Sequence, residues 1–450
     1  MANLIKIKKG LDIKLKGNIS EALIDVGKSE TYALVPDNFN GIIPKLAVRV
    51  GDKVKAGTPL MFDKNHPDVK FVSPVSGEVT AVDRGEKRKI LRIVVTPDSE
   101  RTYESFEVKD PSSMSKEEIK SLLLNAGLWP YIKQRPYDIV ASTGEEPRDI
   151  FVTSYNSTPL APSFDYIAKG EEDVYQIGLE VLKKLTDGKV YVGVKKGATI
   201  IPKDVEVVEL DGPHPVGNVG VLINHTKPVN KGEVVWTMNA ADVLYIGRLF
   251  KNGTVDFSRI IALTGSEMTE RGYAKVTAGC TIESVVGRKV IEGNGHVRFI
   301  SGNVLTGTKV ERTDYLGAYD NQITVIPEGD DTHEFFGWAA LGVNKFSAGK
   351  TFLSYLLGGM KKEYVIDARI RGGKRAMIMS NEYDKVFPMD ILPEYLLKAI
   401  IAFDIDKMEN LGIYEVAPED FALCEFVDTS KIEIQKIVRN GLDLLYKEMN

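Results

Sequence analysis

Apolar and polar positions alternate from the start of the chain. Ile5 and Ile7, then Leu11, Ile13 and Leu15, are interleaved with Lys6, Lys8, Lys14 and Lys16. A period of two predicts strands, with Lys9-Gly10 as the turn between them. The lysines read most simply as a solvated strand face or a charged edge that blocks aggregation. An anionic lipid surface or an acidic partner is the alternative. The first ~100 residues stay rich in β-formers and turn residues. A helical pattern follows, with Ile119, Leu122 and Leu123 on one face. Ser115-x-x-Glu118 is placed to cap its start and Gly127 to end it.

From residue 138 strand and helix patterns alternate. Asp149–Thr153, Lys189–Val194, Val205–Leu210 and Arg259–Leu263 read as strands. Glu171–Leu185 and Ala240–Phe250 read as helices, the first stopped by Gly188. This order predicts βαβ units on a mostly parallel sheet. The strands Phe299–Gly307 and Asn321–Ile326 return to glycine-rich β patterning. Leu392, Leu396, Ile400 and Ile401, then Ile434, Ile437, Val438, Leu442 and Leu445, form helical core stripes.

Composition narrows the class. The chain has 450 residues, 43% apolar and 27% charged, which predicts a globular, multidomain protein. A net charge of −5 gives no basic field for nucleic acid. No apolar run reaches the ~18 residues a membrane span needs. The basic start lacks an apolar signal core, so no secretion is expected. Two cysteines, Cys280 and Cys424, are too few for a disulfide framework or for a four-cysteine iron–sulfur site, and point to a reducing compartment.

The motifs that would carry chemistry are mostly incomplete. Gly349-Lys350-Thr351 resembles the tail of a P-loop, but Asn344 stands where the first glycine belongs, and Phe352–Leu357 after it reads as helical. Gly212-Pro-His-Pro-Val-Gly217-Asn-Val-Gly220 follows a strand, yet its spacing is wrong for a dinucleotide cradle and no helix pattern starts directly after it. It reads as a shaped turn. His66, His214, His225, His296 and His333 show no metal-ligand spacing, so no metal site is predicted. No G-x-S-x-G elbow is present. Arg371-Gly-Gly-Lys-Arg375 reads as a solvated turn or an anion contact. Catalytic residues are not identifiable.

One stretch stands out. Leu128-Trp-Pro-Tyr-Ile-Lys-Gln-Arg-Pro-Tyr137 sets Trp129, Tyr131, Lys133, Arg135 and Tyr137 side by side. Flat rings and cations suit a planar aromatic ligand or a protein interface. Equally, the rings could cover a seam between domains.

Two resemblances organise these pieces. Val48-x-x-Gly-Asp-x-Val-x-x-Gly57-x-x-Leu60, followed by Pro74-x-x-Gly77-x-Val79, resembles a biotinyl/lipoyl domain. Lys64 is a poor carrier lysine, because Asn65-His66-Pro67-Asp68 follows it where a tight hairpin is needed. Across nearly the whole chain, ordered phrases resemble the A subunits of the bacterial Na⁺-translocating NADH:quinone oxidoreductase, Nqr. They include Ile7-Lys-Lys-Gly-Leu11, Val69-Lys-Phe71, Asn125-Ala-Gly-Leu-Trp-Pro130, Arg135-Pro-Tyr-Asp138, Ile150-Phe-Val152 and Thr158-Pro-Leu-Ala-Pro162. Further phrases are Gly212-Pro-His-Pro215, Ser301-Gly-Asn-Val-Leu305, Glu334-Phe-Phe-Gly-Trp338, Pro388-Met-Asp-Ile-Leu-Pro393 and Ala422-Leu-Cys-Glu-Phe-Val427.

This resemblance implies an α+β multidomain chain. Residues 1–111 would be a biotinyl/lipoyl-like β sandwich and 112–137 a connector. A Rossmann-like α/β domain would span 138–257, an SLBB β-grasp domain 258–330 and a mainly helical region 331–450. It implies a peripheral subunit on the cytoplasmic face of the bacterial inner membrane, against the membrane-embedded B subunit. The complex would pass electrons from NADH to ubiquinone or menaquinone while exporting Na⁺. Flavins and iron–sulfur centres would belong to other subunits and none to this chain. The family is similar to the C subunit of Rnf and to the flavin-binding subunit of respiratory complex I. One departure is the family's C-terminal C-x-x-x-C phrase. Here Cys424 is kept but Asp428 takes the second place, so no disulfide can join them and a metal role for that tail is doubtful.

Overall fold

The computed structural model describes residues 3–449 apart from 292–294, 333–335, 337–340 and 357–361. His333 and most of the phrase Glu334–Trp338 therefore lie outside the described residues.

A seven-stranded sheet forms the centre. Its order is Asn3–Lys6, Glu206–Asp211, Val190–Lys195, Ile150–Thr153, Val235–Asn239, Lys133–Arg135, Ile139–Val140. The first five strands run parallel, Lys133–Arg135 runs against them, and Ile139–Val140 pairs antiparallel with Lys133–Arg135. Side chains alternate across it, because successive residues of a strand face opposite sides. Ile150, Val152, Val192 and Val194 pack into one core with Leu179 and Val243. Phe151, Val208 and Leu210 pack into a second, with Leu222, Leu396 and Leu442.

The first core is covered by helices Glu172–Lys184 and Ala240–Asn252, the second by Val219–Thr226 and the C-terminal helices. The helices at 172–184 and 240–252 cross closely at two glycines. A methyl group at Gly178 would lie 2.6 Å from Val243, and one at Gly247 would lie 1.9 Å from the Val174 carbonyl oxygen. Ahead of this unit, Lys116–Asn125 carries the capping box expected of Ser115 and Glu118 and ends at Gly127 in the left-handed region, φ +69.

Two β units flank the sheet. Residues 32–97 build a four-stranded and a three-stranded sheet around Leu60, Phe71, Val79 and Ile93. Lys64 lies in a loop between Pro59–Asp63 and Lys70–Val72, its backbone N–H bonded to the Ile43 carbonyl. Residues 258–327 form a five-stranded mixed sheet with a parallel central pair, Ser258–Thr264 beside Gln322–Pro327, and the short helix Ile282–Val286.

Three expectations are corrected. The N-terminal strand does not pair with its sequence neighbours; it adds to the edge of the parallel sheet, and residues 11–15 form no second strand. The alternation itself holds, since Ile5, Ile7, Ile13 and Leu15 are all buried. The loop 212–220 does lead into a helix, Val219–Thr226, hidden in the sequence by its short length and all-apolar first turn. The region 331–450, expected to be mainly helical, is helical only in its last part. Among the described residues α-helices begin only at Pro393, and before it stand short 3₁₀ turns such as Leu353–Tyr355.

Candidate functional site

The parallel strands diverge where the chain changes direction. From 150–153 the chain goes to 190–195 on one side, while 235–239 lies on the other. In open α/β sheets a crevice opens at this switch, outside the carboxyl ends of the strands. Here it holds a cleft of about 590 Å³. Thr153 and Asn239, paired in register, form its edge. Turns 302–303 and 317–322 of the five-stranded sheet form another wall, and Glu419 and Arg439 close a third side.

Hydrogen bonds fix these walls to one another. Arg439, from the terminal helix Ile434–Met449, donates to the carbonyls of Tyr137 (2.7 Å) and Asp138 (3.1 Å). Tyr319 donates to the Pro130 carbonyl at 2.6 Å. His214 meets Ser157 Oγ at 3.0 Å, and burial pushes its imidazole down to about 4, so it is neutral at physiological pH.

The inner end of the cleft carries its charge. Lys133 Nζ lies 4.3 Å from the centre of the Tyr319 ring and has no carboxylate within ion-pair distance among the described residues. Tyr131 meets Tyr319 and Tyr245 edge to face, with ring centres 5.8 and 5.2 Å apart. Beneath them Arg259 pairs with Asp242 at 2.7 Å, both nearly fully buried. Asp242 Oδ2 accepts no hydrogen bond from the described residues. Burial, only partly offset by Arg259, raises the Asp242 carboxyl to about 6. Glu419 is also pushed up, by desolvation and by the Asp420 carboxylate beside it. Asp138 and Asp320 add further acids to the lining. A pyrophosphate would face these carboxylates with one unpaired lysine to hold it. A neutral, planar group with hydrogen-bonding carbonyls fits better: Lys133 can donate to it, and Tyr131 and Tyr319 offer flat rings.

The aromatic–cationic stretch is therefore divided. Tyr131 and Lys133 line the cleft. Trp129 does not; it is fully buried, donates to the Ala141 carbonyl at 2.8 Å and packs edge to face on Trp236. Arg135 is 1% exposed and held by Asp420 at 2.8 Å and Glu419 at 3.3 Å. Tyr137 packs against Tyr446 of the terminal helix. Trp129 packs within the α/β unit, while Arg135 and Tyr137 join it to the C-terminal segment.

Sequence reading missed Asp242, Arg259, Tyr319 and Glu419. A usable signal was present for two of them: Arg259 opens Arg-Ile-Ile-Ala-Leu and Asp242 interrupts Ala-Ala-Asp-Val-Leu, charges on faces that the pattern otherwise buries. Among the described residues no group of three or more His, Cys, Asp or Glu could hold a metal ion. No helix among them is long and apolar enough to cross a membrane.

Three family models match the chain in order. They are the NqrA N-terminal barrel-sandwich hybrid domain over residues 5–98, the NqrA second alpha/beta domain over 114–255 and the NQRA C-terminal domain over 260–312. The chain is 38% identical to the A subunit of the Na(+)-translocating NADH-quinone reductase of Vibrio atlanticus, over 99% of this chain and 100% of that one. It is 36% identical to the corresponding A subunit of Neisseria meningitidis serogroup B over the same shares. A crystal structure of a NAD⁺-reducing [NiFe]-hydrogenase overlaps 68% of this chain and 55% of its own at 12% identity and a TM-score of 0.34, a likeness too loose to bear on the fold. Full-length identity at this level, with three domain models in chain order, places the chain in the family of Na⁺-translocating NADH-quinone reductase A subunits.

Proposed function

We propose that this chain works at the quinone-reducing end of such a reductase, as a peripheral subunit on the cytoplasmic face of the bacterial inner membrane. In this reading it docks chiefly on the membrane-embedded B subunit. NADH and ubiquinone or menaquinone are substrates of the whole complex, while flavins and iron–sulfur centres reside in other subunits. The isolated chain does not turn over. Its contribution to the quinone is the cleft at the carboxyl ends of the central strands. The observation that supports this is the pairing of the Tyr131 and Tyr319 rings with an ammonium, Lys133, that has no carboxylate partner among the described residues.

Calorimetric titration of the purified chain with a short-chain ubiquinone tests it. Saturable binding is expected, weakened about tenfold in Lys133→Ala, the scale of one hydrogen bond from a charged donor. Lys133 makes no ion pair among the described residues, so the variant should fold normally. No binding by a folded chain that still rejoins the complex would favour the second reading, a docking subunit without a site. That reading draws support from Trp129, Arg135 and Tyr137, the first packed within the α/β unit and the other two against the C-terminal segment.

A further inference from the structure

The described residues of 341–379 form a layer with an inner and an outer row of side chains. Phe346, Ile366 and Met377 turn inward against the core of the C-terminal helices, with Tyr364 buried beside Phe346. The outer row is unusual in two respects. Leu341 is 73% exposed and Leu356 76%, with Ile370 and Ile378 also above half. Its charge also opposes that of the molecule. The described residues of 341–379 include seven Lys and Arg (345, 350, 362, 369, 371, 374, 375) against Glu363 and Asp367, in a chain of net charge −5. Three of these lysines, Lys345, Lys350 and Lys362, lie over aromatic rings, those of Phe352, Tyr355 and Tyr364.

The N-terminal lysines reach the same layer. Leu15 and Tyr364 form a parallel bridge: Lys16 N–H donates to the Tyr364 carbonyl, and Tyr364 N–H donates to the Lys14 carbonyl, both at 2.8 Å. Leu15 and Tyr364 point inward, so Lys14 and Lys16 are left exposed beside the layer. Two basic segments far apart in sequence are thus brought together by backbone hydrogen bonds.

We propose that this layer, with Lys14 and Lys16, is a docking surface for an anionic lipid bilayer. Exposed aliphatic side chains give it something to insert at the headgroup boundary, and long basic side chains keep their charges in the headgroup layer. Each lysine or arginine near an anionic surface adds attraction that falls within a Debye length. A protein partner with an acidic face would match the charge alone. The exposed aliphatic side chains, Leu341, Val343 and Leu356 among them, add a demand that charge does not meet, for an apolar phase beneath an anionic surface, and a bilayer supplies both. This goes beyond membership of a membrane-bound complex: the chain would hold the bilayer directly, independently of any quinone site.

The test is flotation of the full chain with vesicles of phosphatidylcholine containing increasing phosphatidylglycerol, at low and high salt. Binding should appear with phosphatidylglycerol, vanish at high salt, and be absent on pure phosphatidylcholine. The exposed pairs K14E/K16E and K350E/R375E should each lower partitioning by on the order of tenfold. Leu356→Ser should weaken binding and leave its salt dependence intact. K87E/R88E, an equal charge change in the hairpin near residue 87, is the control and should bind like the parent. Circular dichroism of each variant reports folding. The proposal is overturned if the folded chain ignores anionic vesicles, or if the control loses as much binding as the two pairs. It is also overturned if the pairs release the chain from the purified complex in detergent while leaving vesicle binding unchanged, which would assign the surface to a protein partner.

Discussion

Removing the Arg135 guanidinium would leave Asp420, 3% exposed, without its cation and next to Glu419. Breaking a buried pair from one side typically costs about 3–5 kcal/mol, because the remaining charge stays desolvated. Arg135→Ala is therefore expected to lower unfolding stability by about that much, measured by urea titration. The double variant Arg135→Ala/Asp420→Ala should lose less than the two single losses added together. A single variant as stable as the parent would contradict the pairing. At this scale the sequence exposed residue types but not their directions. Trp129, Tyr131, Lys133, Arg135 and Tyr137 are adjacent in sequence and read as one surface. Lys133 and Arg135 stand two apart on one strand, yet Lys133 lines the cleft while Arg135 is held by Asp420 and Glu419 from the far end of the chain. Nothing in the local pattern reveals the seam, because Asp420 lies 285 residues away.

Elements were more legible than side-chain directions, and the reason is periodicity. Helix 172–184 and strands 150–153, 190–195 and 206–211 follow from spacing alone, within a residue or two of the expected bounds. Helix 219–226 escaped because its first five residues are all buried, which erases the amphipathic stripe. The glycines inside helices 172–184 and 240–252 carry information that periodicity does not. Each sits where the neighbouring helix touches backbone, and Gly247 has the least room. Gly247→Ala would normally gain from helix propensity. Here the added methyl group meets the Val174 carbonyl oxygen at 1.9 Å, so the helices must separate. A net loss of about 1–3 kcal/mol is expected, the range for overpacked cores, read from the denaturation midpoint. A stabilised variant would mean the crossing is looser than described.

Across the whole molecule, the central sheet depends on chain segments far from it in sequence. Its N-terminal edge strand arrives from residues 3–6, and its second face is sealed by helices from beyond residue 392. Sequence patterns divide the chain by contiguity, so neither crossing could be read from them. The consequence can be tested by ending the chain at residue 392. This deletes Leu396, Leu397, Ile400, Phe421, Val438 and Leu442, all buried in the core shared with Phe151, Leu210 and Leu222. Each buried side chain of this size is worth about 1.5–3 kcal/mol relative to exposure. Losing the partners of half a dozen such residues amounts to roughly 10 kcal/mol, comparable to the 5–15 kcal/mol that holds most domains folded. Cleft residues Glu419 and Arg439 go with the deletion, and so does the Asp420 carboxylate that pairs with Arg135. The shortened chain should therefore bind hydrophobic dyes, lose its cooperative thermal transition and aggregate, even though the three family-model regions end at residue 312 and are all retained. A soluble 1–392 chain that unfolds cooperatively would show that the C-terminal helices are an accessory to the sheet and not half of its core.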